Sequence, residues 1–443
     1  MKAPQAPTQF NKLFEQIIAK KRLPKVFQLA NQLPADRDYP HWDQLRRKPA
    51  PNGFSHEEWW VALKMKRKAA YRTTPLCDKD ETPFVYFIPD NVQELLHEID
   101  FGGGGFIGMP DPVTNPQNRD RYIISSLIQE AITSSQLEGA VTTREVAKEM
   151  IKTGRAPRDR SEQMILNNYA TMQKIIQIKE QEMSPELLFD IHRSVTRETL
   201  DNPDAAGRLR NLNEQVRVMD NEGEIYHTPP SAIELPERLQ QMCRFANGET
   251  PDQFIPPVVR AVLLHFWLAY DHPFVDGNGR TARALFYWCM LRNKFWLFEF
   301  VSISNILVKA PVQYARSFLY TETDENDLNY FILYQMDVIH RAICALHEYI
   351  DRKQQELSET AGNLRSLKNF NHRQQTLLTH ALRHPAQEYT IASHQRSHAV
   401  AYATARSDLL ELAEQKLLTE RKRGRAIIFE AMSDLNARLK KYR

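Results

Sequence analysis

Two stretches of this chain are apolar on nearly every side, and they are separated by a polar, glycine-bearing loop. The first runs from Val258 to Tyr270. The second carries Ala284, Leu285, Phe286, Trp288, Cys289 and Met290. A helix that is hydrophobic all round has no solvent face and must be buried. The chain is therefore expected to be mainly α-helical, with a pair of core helices at its centre. Between them lies Asp271-His272-Pro273-Phe274-Val275-Asp276-Gly277-Asn278-Gly279-Arg280-Thr281-Ala282-Arg283. A loop of that composition, leading straight into a buried helix, is what constrains the rest.

The amino end of a helix has free N–H groups and a partial positive charge. Gly277 and Gly279 allow backbone to approach a ligand closely. Together these describe an anion site. Arg280 and Arg283 stand three apart in the first helical turn, on one face. Cations there oppose the helix dipole and are relieved only by a bound anion, which points to a polyphosphate. Asp276 offers one hard oxygen for Mg²⁺, an ion that keeps several waters and bridges phosphates. His272 stands at the same mouth as a candidate general base. Base, metal ligand, anion cradle and phosphate clamp within a dozen residues describe phosphoryl or nucleotidyl transfer.

The 443 residues suffice for two or three domains, and a hydrophobic share of 42% with 26% charged residues permits an ordinary core. A net charge of +3 makes any nucleic-acid surface a local one. Cys77, Cys243, Cys289 and Cys344 are far apart, with no zinc spacing, and read as reduced thiols. No signal-peptide pattern opens the chain, and Ala261–Tyr270 is interrupted by His265 and too short to span a bilayer. The expected location is cytoplasmic, with no membrane partner.

Along the chain, residues 1–110 are rich in Pro, Trp, Tyr and charge and end in four glycines at 102–105, read as a flexible turn because no GK[ST] follows. Helical periodicity begins near 120 with Ile123, Ile124, Leu127, Ile128, Ala131 and Ile132, and Gly139 is a stop signal. Thr142 with Glu145 has the pattern of a capping box for the next helix, and Ser184-Pro185 that of an N-cap with proline at the first helical position. Further helices are expected at 231–247, 258–270, 279–292, 311–321 and 327–356. The one break is 215–226, where Val216 and Val218 alternate with polar residues, turn chemistry follows, and Ile225 and Tyr226 resume: a short β-hairpin. His265, on an apolar helix, reads as a satisfied core histidine. Tyr287 either walls a base pocket or packs. Residues 357–370 read as a linker. Beyond it, helices near 372–383, 391–398 and 402–415 and two strands flanking Arg421-Lys422-Arg423-Gly424-Arg425 suggest a winged helix-turn-helix over 371–443.

The loop matches the Fic signature HxFx[DE]GNGRxxR at every specified position, from His272 to Arg283. The chain resembles that family over roughly 120–300, and more loosely to 356, including Ala206-Gly207-Arg208-Leu209-Arg210 ahead of the hairpin. The resemblance implies a Fic catalytic domain over 111–356. It also implies transfer of AMP from Mg-ATP to a Ser, Thr or Tyr hydroxyl of a target protein, or of the chain itself. In that reading His272 takes the proton from the hydroxyl, Phe274 anchors the loop, and Asp276 holds Mg²⁺. Gly277, Asn278 and Gly279 wrap the α- and β-phosphates, with Asn278 donating to the first. Arg280 grips the β-phosphate and Arg283 the γ-phosphate. The hairpin residues Val216, Arg217, Val218, Ile225 and Tyr226 become a target-binding flap.

Upstream, Ser134-Ser135-Gln136-Leu137-Glu138-Gly139 resembles the family's inhibitory pattern [ST]xxxE[GN], on a helix near 121–139. Ser134 and Glu138 share one helix face. The resemblance implies that Glu138 occupies Arg283 and leaves the α-phosphorus of ATP poorly aligned. Removal of AMP by the same site, another nucleotide or a phosphocholine donor, and a nucleotide-sensing DNA-binding regulator are the alternatives. The expected partner is a target protein; the basic wing with Arg406 reads either as a DNA contact or as a winged helix used for protein contacts or dimerisation.

Overall fold

The computed structural model describes residues 2–33, 38–103, 116–219, 223–364, 369–384, 387–423 and 426–439. It divides into two compact units, Met1–Gly105 with Ser125–Ile343, and Phe106–Ile124 with Cys344–Arg443.

The larger unit opens with four helices: α1 (Phe10–Ala19), α2 (Leu23–Gln32), α3 (Trp42–Leu45) and α4 (His56–Lys68). They close on Leu13, Ile17, Val26, Trp42, Trp60 and Leu63. Ser55 and Glu58 form a reciprocal capping box at the start of α4. An antiparallel hairpin, β1 (Arg72–Cys77) and β2 (Pro83–Tyr86), precedes α5 (Asp90–Gly103). Gly102 and Gly103, read as part of a turn, are helical residues of α5; Gly104 and Gly105 lie outside the described residues.

The next four helices are α6 (Pro116–Leu137), α7 (Arg144–Thr153), α8 (Arg160–Ile178) and α9 (Pro185–Thr196). Gly139, at φ 91°, ends α6 in a Schellman turn: Ala140 N–H reaches Ser135 O at 3.0 Å and Gly139 N–H reaches Gln136 O at 3.1 Å. The expected Thr142–Glu145 box does not form. Thr143 has the extended backbone of an N-cap, and its hydroxyl accepts from Val146 N–H at 3.4 Å. The helix starts one residue later, so the third helical position is Val146 rather than Glu145. Ser184 and Pro185 begin α9 as expected, with Ser184 Oγ accepting from Leu187 N–H at 3.2 Å.

A two-stranded hairpin follows, β3 (Val218–Met219) and β4 (Ile225–His227), shorter than the 215–226 read from alternation. Its turn, 220–222, lies outside the described residues. Then come α10 (Leu235–Ala246), α11 (Pro257–Asp271), α12 (Asn278–Arg292), α13 (Ser304–Leu307), α14 (Pro311–Thr323) and α15 (Asn329–Leu364). The helices α11 and α12 are the pair expected at the centre. They pack on each other, α10 covers α11, and α8 and α9 cover α12. Phe266 of α11 meets Phe84, Phe318 and Phe331. The polar run read as a linker from 357 is helical as far as Leu364. Once a long helix is nucleated, further polar residues add a hydrogen bond each at little loss.

The smaller unit contains α16 (His372–Arg383), β5 (Glu388–Thr390), α17 (Ile391–His398), α18 (Tyr402–Glu414), β6 (Leu418–Arg423), β7 (Ala426–Ala431) and α19 (Leu435–Leu439). Its strands form an antiparallel sheet in the order β5-β7-β6 around Leu378, Leu409, Leu412 and Phe429. Arg421, Lys422 and Arg423, read as a turn between strands, extend β6 and pair with Ile428, Ile427 and Ala426. Arg425 lies outside the described residues.

Candidate active site

The loop between α11 and α12 is held by its own backbone and by neighbours from three other segments. His272 ends α11 in the left-handed region, at φ 45° and ψ 55°. Gly277, at φ 80°, is the N-cap of α12. A Cβ there would lie 2.6 Å from Thr196 Cγ2, so both conformation and space demand glycine. Phe274 is fully buried and stacks on the His192 ring, 3.8 Å between centroids and 9° between planes. Asn278 ties the loop to itself: its Oδ1 accepts from Phe274 N–H at 3.0 Å and its Nδ2 donates to Phe274 O at 2.8 Å.

His192 on α9 fixes two further points. Its Nδ1 accepts from Gly207 N–H at 2.9 Å, so the ring proton sits on Nε2, which donates to the Asp276 carbonyl at 2.9 Å. Burial lowers its pKa to about 4, which keeps that neutral form. Arg210 reaches the loop from the segment before the hairpin. Its N–H donates to Pro273 O, and its Nε donates to the His272 carbonyl, each at 2.9 Å.

His272 Nδ1 lies 3.1 Å from the Ala269 carbonyl. A carbonyl only accepts, so Nδ1 carries the proton and Nε2 keeps a free lone pair. Burial brings the pKa of His272 down to about 4, the Ala269 carbonyl opposing it and the charge of His227 adding to it. At neutral pH the ring is therefore an unprotonated base.

Arg280 is 1% exposed. One guanidinium nitrogen donates to Val195 O at 3.1 Å, while Nε and the other terminal nitrogen are buried with no hydrogen-bond partner among the described residues. Burial pulls its pKa below the ordinary value, and the charges of Glu138 and Asp276 only partly offset this. A buried cation with idle donors at a helix amino end is a site short of an anion. Arg283 is the opposite case. Its Nε donates to Ser134 Oγ at 2.8 Å, and one terminal nitrogen donates to Ser134 O at 2.9 Å and to Glu138 Oε1 at 2.8 Å. The Glu138 carboxylate comes so near the loop that a Cβ on Gly279 would lie 2.2 Å from its Oε1. Asp276 Oδ1 accepts from Gly277 N–H at 2.6 Å, and its Oδ2 lies 3.4 Å from Arg160 and 3.8 Å from Arg280. Asp276 and Arg160 open onto a cavity of about 370 Å³.

Ser134, Glu138, His272, Asp276, Gly277, Asn278, Gly279, Arg280 and Arg283 thus gather at one place. Three residues take definite places. Asn278 holds the loop through Phe274 with its Oδ1 and one of its two Nδ2 N–H groups, and its backbone N–H opens α12. The Tyr287 hydroxyl is buried against Glu130, Val301 O and Ile303 N–H, so this ring packs rather than walling a pocket. His265 is satisfied at Nε2 only, by Tyr314 at 2.7 Å. Of the hairpin residues, Val218 and Ile225 are paired and exposed, Tyr226 lies on β4, and Val216 and Arg217 precede the ladder. His192 and Arg160 went unread: each is an isolated residue whose role appears only when distant segments meet.

The Fic/DOC family matches residues 182–290, which span the whole of this loop and both buttresses, His192 and Arg210. This segment is a Fic domain. Two curated proteins are similar to this chain. Protein adenylyltransferase Fic of Nematostella vectensis is 27% identical over 209 residues, 46% of this chain and 46% of that protein. Protein adenylyltransferase fic-1 of Caenorhabditis elegans is 28% identical over 231 residues, 51% of this chain and 40% of that one. The chain thus spans less than half the length of these relatives. A Fic family protein from Desulfovibrio desulfuricans G20 shares the fold, with TM-score 0.51 and 18% identity, over 79% of this chain and 98% of that one.

Proposed function

We propose that the Fic domain of this chain transfers AMP from ATP to a hydroxyl side chain of a protein, itself included. The observation that carries the reading is Arg280: a buried guanidinium with idle donors, in the first turn of α12, whose leading loop also carries an imidazole with Nε2 as a base. The triphosphate supplies the missing anion. The hydroxyl oxygen attacks the α-phosphorus, His272 Nε2 takes its proton, and the bond to pyrophosphate breaks. The target keeps AMP as an ester and pyrophosphate leaves. Backbone N–H groups of Asn278, Gly279 and Arg280 cradle the phosphates, and the Arg280 side chain neutralises charge on the leaving group. The exposed edge of the hairpin is read as the place where an extended target segment pairs.

Magnesium fits the donor set. Among the described residues no three His, Cys, Asp or Glu cluster as a protein cage. Mg²⁺ needs only one or two carboxylates when phosphates and water complete its shell, and Asp276 lines a cavity. Bound there, it would offset phosphate charge.

The Glu138–Arg283 contact is read as a brake that withholds the second arginine from the triphosphate. Incubation with α-labelled and γ-labelled ATP tests both statements. Glu138→Gly should retain α label severalfold above the parent chain and no γ label. His272→Ala in that background should bind ATP and retain none. Label from γ alone would mean a kinase-like reaction, and equal labelling with and without Glu138 would remove the brake.

The smaller unit, with α16, α17 and α18 packed on a β5-β7-β6 sheet and α19 following it, is read as a winged helix. Its basic strand supports a proposed DNA contact through Arg421 and Lys422, to be tested by the salt dependence of filter binding.

A further inference from the structure

His227 closes β4, pairs with Val218 across the hairpin and is 9% exposed. Its Nδ1 lies 2.7 Å from Glu322 Oε2 on α14, and its Nε2 lies 2.7 Å from the Tyr270 carbonyl at the end of α11. A carbonyl only accepts, and so does an ionised carboxylate. A neutral imidazole has one N–H and serves one of them; serving both requires the imidazolium. The ionisable groups around the ring are Glu322 on α14, Tyr270 and Asp271 on α11, and Arg238 of α10, paired with Asp271 at 2.6 Å. Asp78 stands beside Tyr270, and His272 and Arg210 lie in the loop beyond. Tyr226 and Glu224 neighbour it on its own hairpin. Burial works against the charge, but Glu322, the Tyr270 carbonyl and Asp271 outweigh it, and the pKa of His227 is raised above the ordinary imidazole value.

One ring therefore joins three pieces: the hairpin, the helix end two residues before His272, and α14. We propose that His227, as an imidazolium, is a positioning residue for AMP transfer, pinning the target-pairing hairpin to the helix end that carries the base and releasing it on losing its second proton. The inference rests on the adenylyl-transfer reading above. The sign follows from the raised pKa. The latch is whole below it and opens as pH rises through it, because the neutral ring must drop one acceptor. The same charge depresses the proton affinity of His272.

Two measurements on the full chain test this. In ¹⁵N-histidine NMR, the His227 signals, assigned by their loss in His227→Gln, should both report protonated nitrogens at pH 7. A neutral ring there overturns the proposal. In the Glu138→Gly background, labelling from α-labelled ATP should fall on the alkaline side. Glu322→Gln should move that fall to lower pH. His227→Gln should abolish it, leaving a rate roughly ten- to a hundredfold lower and flat across that range. Transfer with the same pH profile in the His227→Gln variant sinks this inference alone. No label in any variant overturns it together with the adenylyl-transfer reading.

Discussion

At the scale of single residues, the loop depends on two glycines for different reasons. Gly277 sits at φ 80° with Thr196 Cγ2 2.6 Å from any added Cβ. Alanine there meets both a disfavoured backbone and a clash, and Gly277→Ala should destabilise the domain by about 2 kcal/mol in urea titration. Gly279 is helical, and its missing side chain is room for the Glu138 carboxylate. The residue types of the motif were legible because an anion cradle needs glycine, arginine and a helix start in that order. His192 was not. Nothing in its neighbourhood in sequence marks it, since its partners are Gly207, Phe274 and the Asp276 carbonyl, all brought by folding.

At the scale of elements, two polar clusters help fasten α6, beside the packing of Ile128, Ala131 and Ile132 on Ala147, Met150 and Ile165. One is the Ser134 and Glu138 contact with Arg283. The other, two turns earlier, is Glu130, whose buried carboxylate accepts from Tyr287 OH at 2.9 Å, Ser302 Oγ at 2.8 Å, Ser304 N–H at 3.1 Å and Ser304 Oγ. Glu130→Ala strands these donors and should cost about 3 kcal/mol. Hydrogen exchange should show lost protection over 126–137, and α labelling of the parent chain should rise a few-fold as α6 loosens. The helices themselves were legible from apolar spacing, as α11 and α12 show. Where reading failed, the cause was local. Thr142 and Thr143 offer the same hydroxyl, and only the backbone turn decides which caps α7. The three-residue β5 is too short to leave a pattern. Polar residues after 357 looked like a break because the helix there is sustained by length rather than by an apolar face.

Across the larger unit, the first hundred residues are joined to the segment around Asp324–Tyr330 by buried charge. Lys64 on α4, 1% exposed, pairs with Asp324 at 3.0 Å and lies 3.9 Å from Asp327. Tyr39 and Tyr71 donate to Asp327 at 2.6 and 2.5 Å, and Tyr330 donates to Asp324 at 2.7 Å. Burial pushes the Asp327 carboxyl above its ordinary range, with Lys64 holding it down. Lys64→Met should destabilise the unit by about 3–5 kcal/mol at neutral pH, since two carboxylates lose their cation. A carboxyl with a raised folded pKa weakens the fold when ionised, and that loss is recovered as pH falls and it protonates. The deficit of Lys64→Met should therefore shrink between neutral and acidic pH in parallel denaturant titrations. None of this was legible, because Lys64 and Asp324 lie far apart in a sequence with many surface lysines and aspartates.

The carboxylate that fills Arg283 stands 145 residues ahead of it. Ribosomes build from the amino end, and segments made first are free to fold first. By the time α12 leaves the exit tunnel, α6 already exists and is waiting. A newborn copy thus never passes through a stage in which the guanidinium is made and its occupant is not.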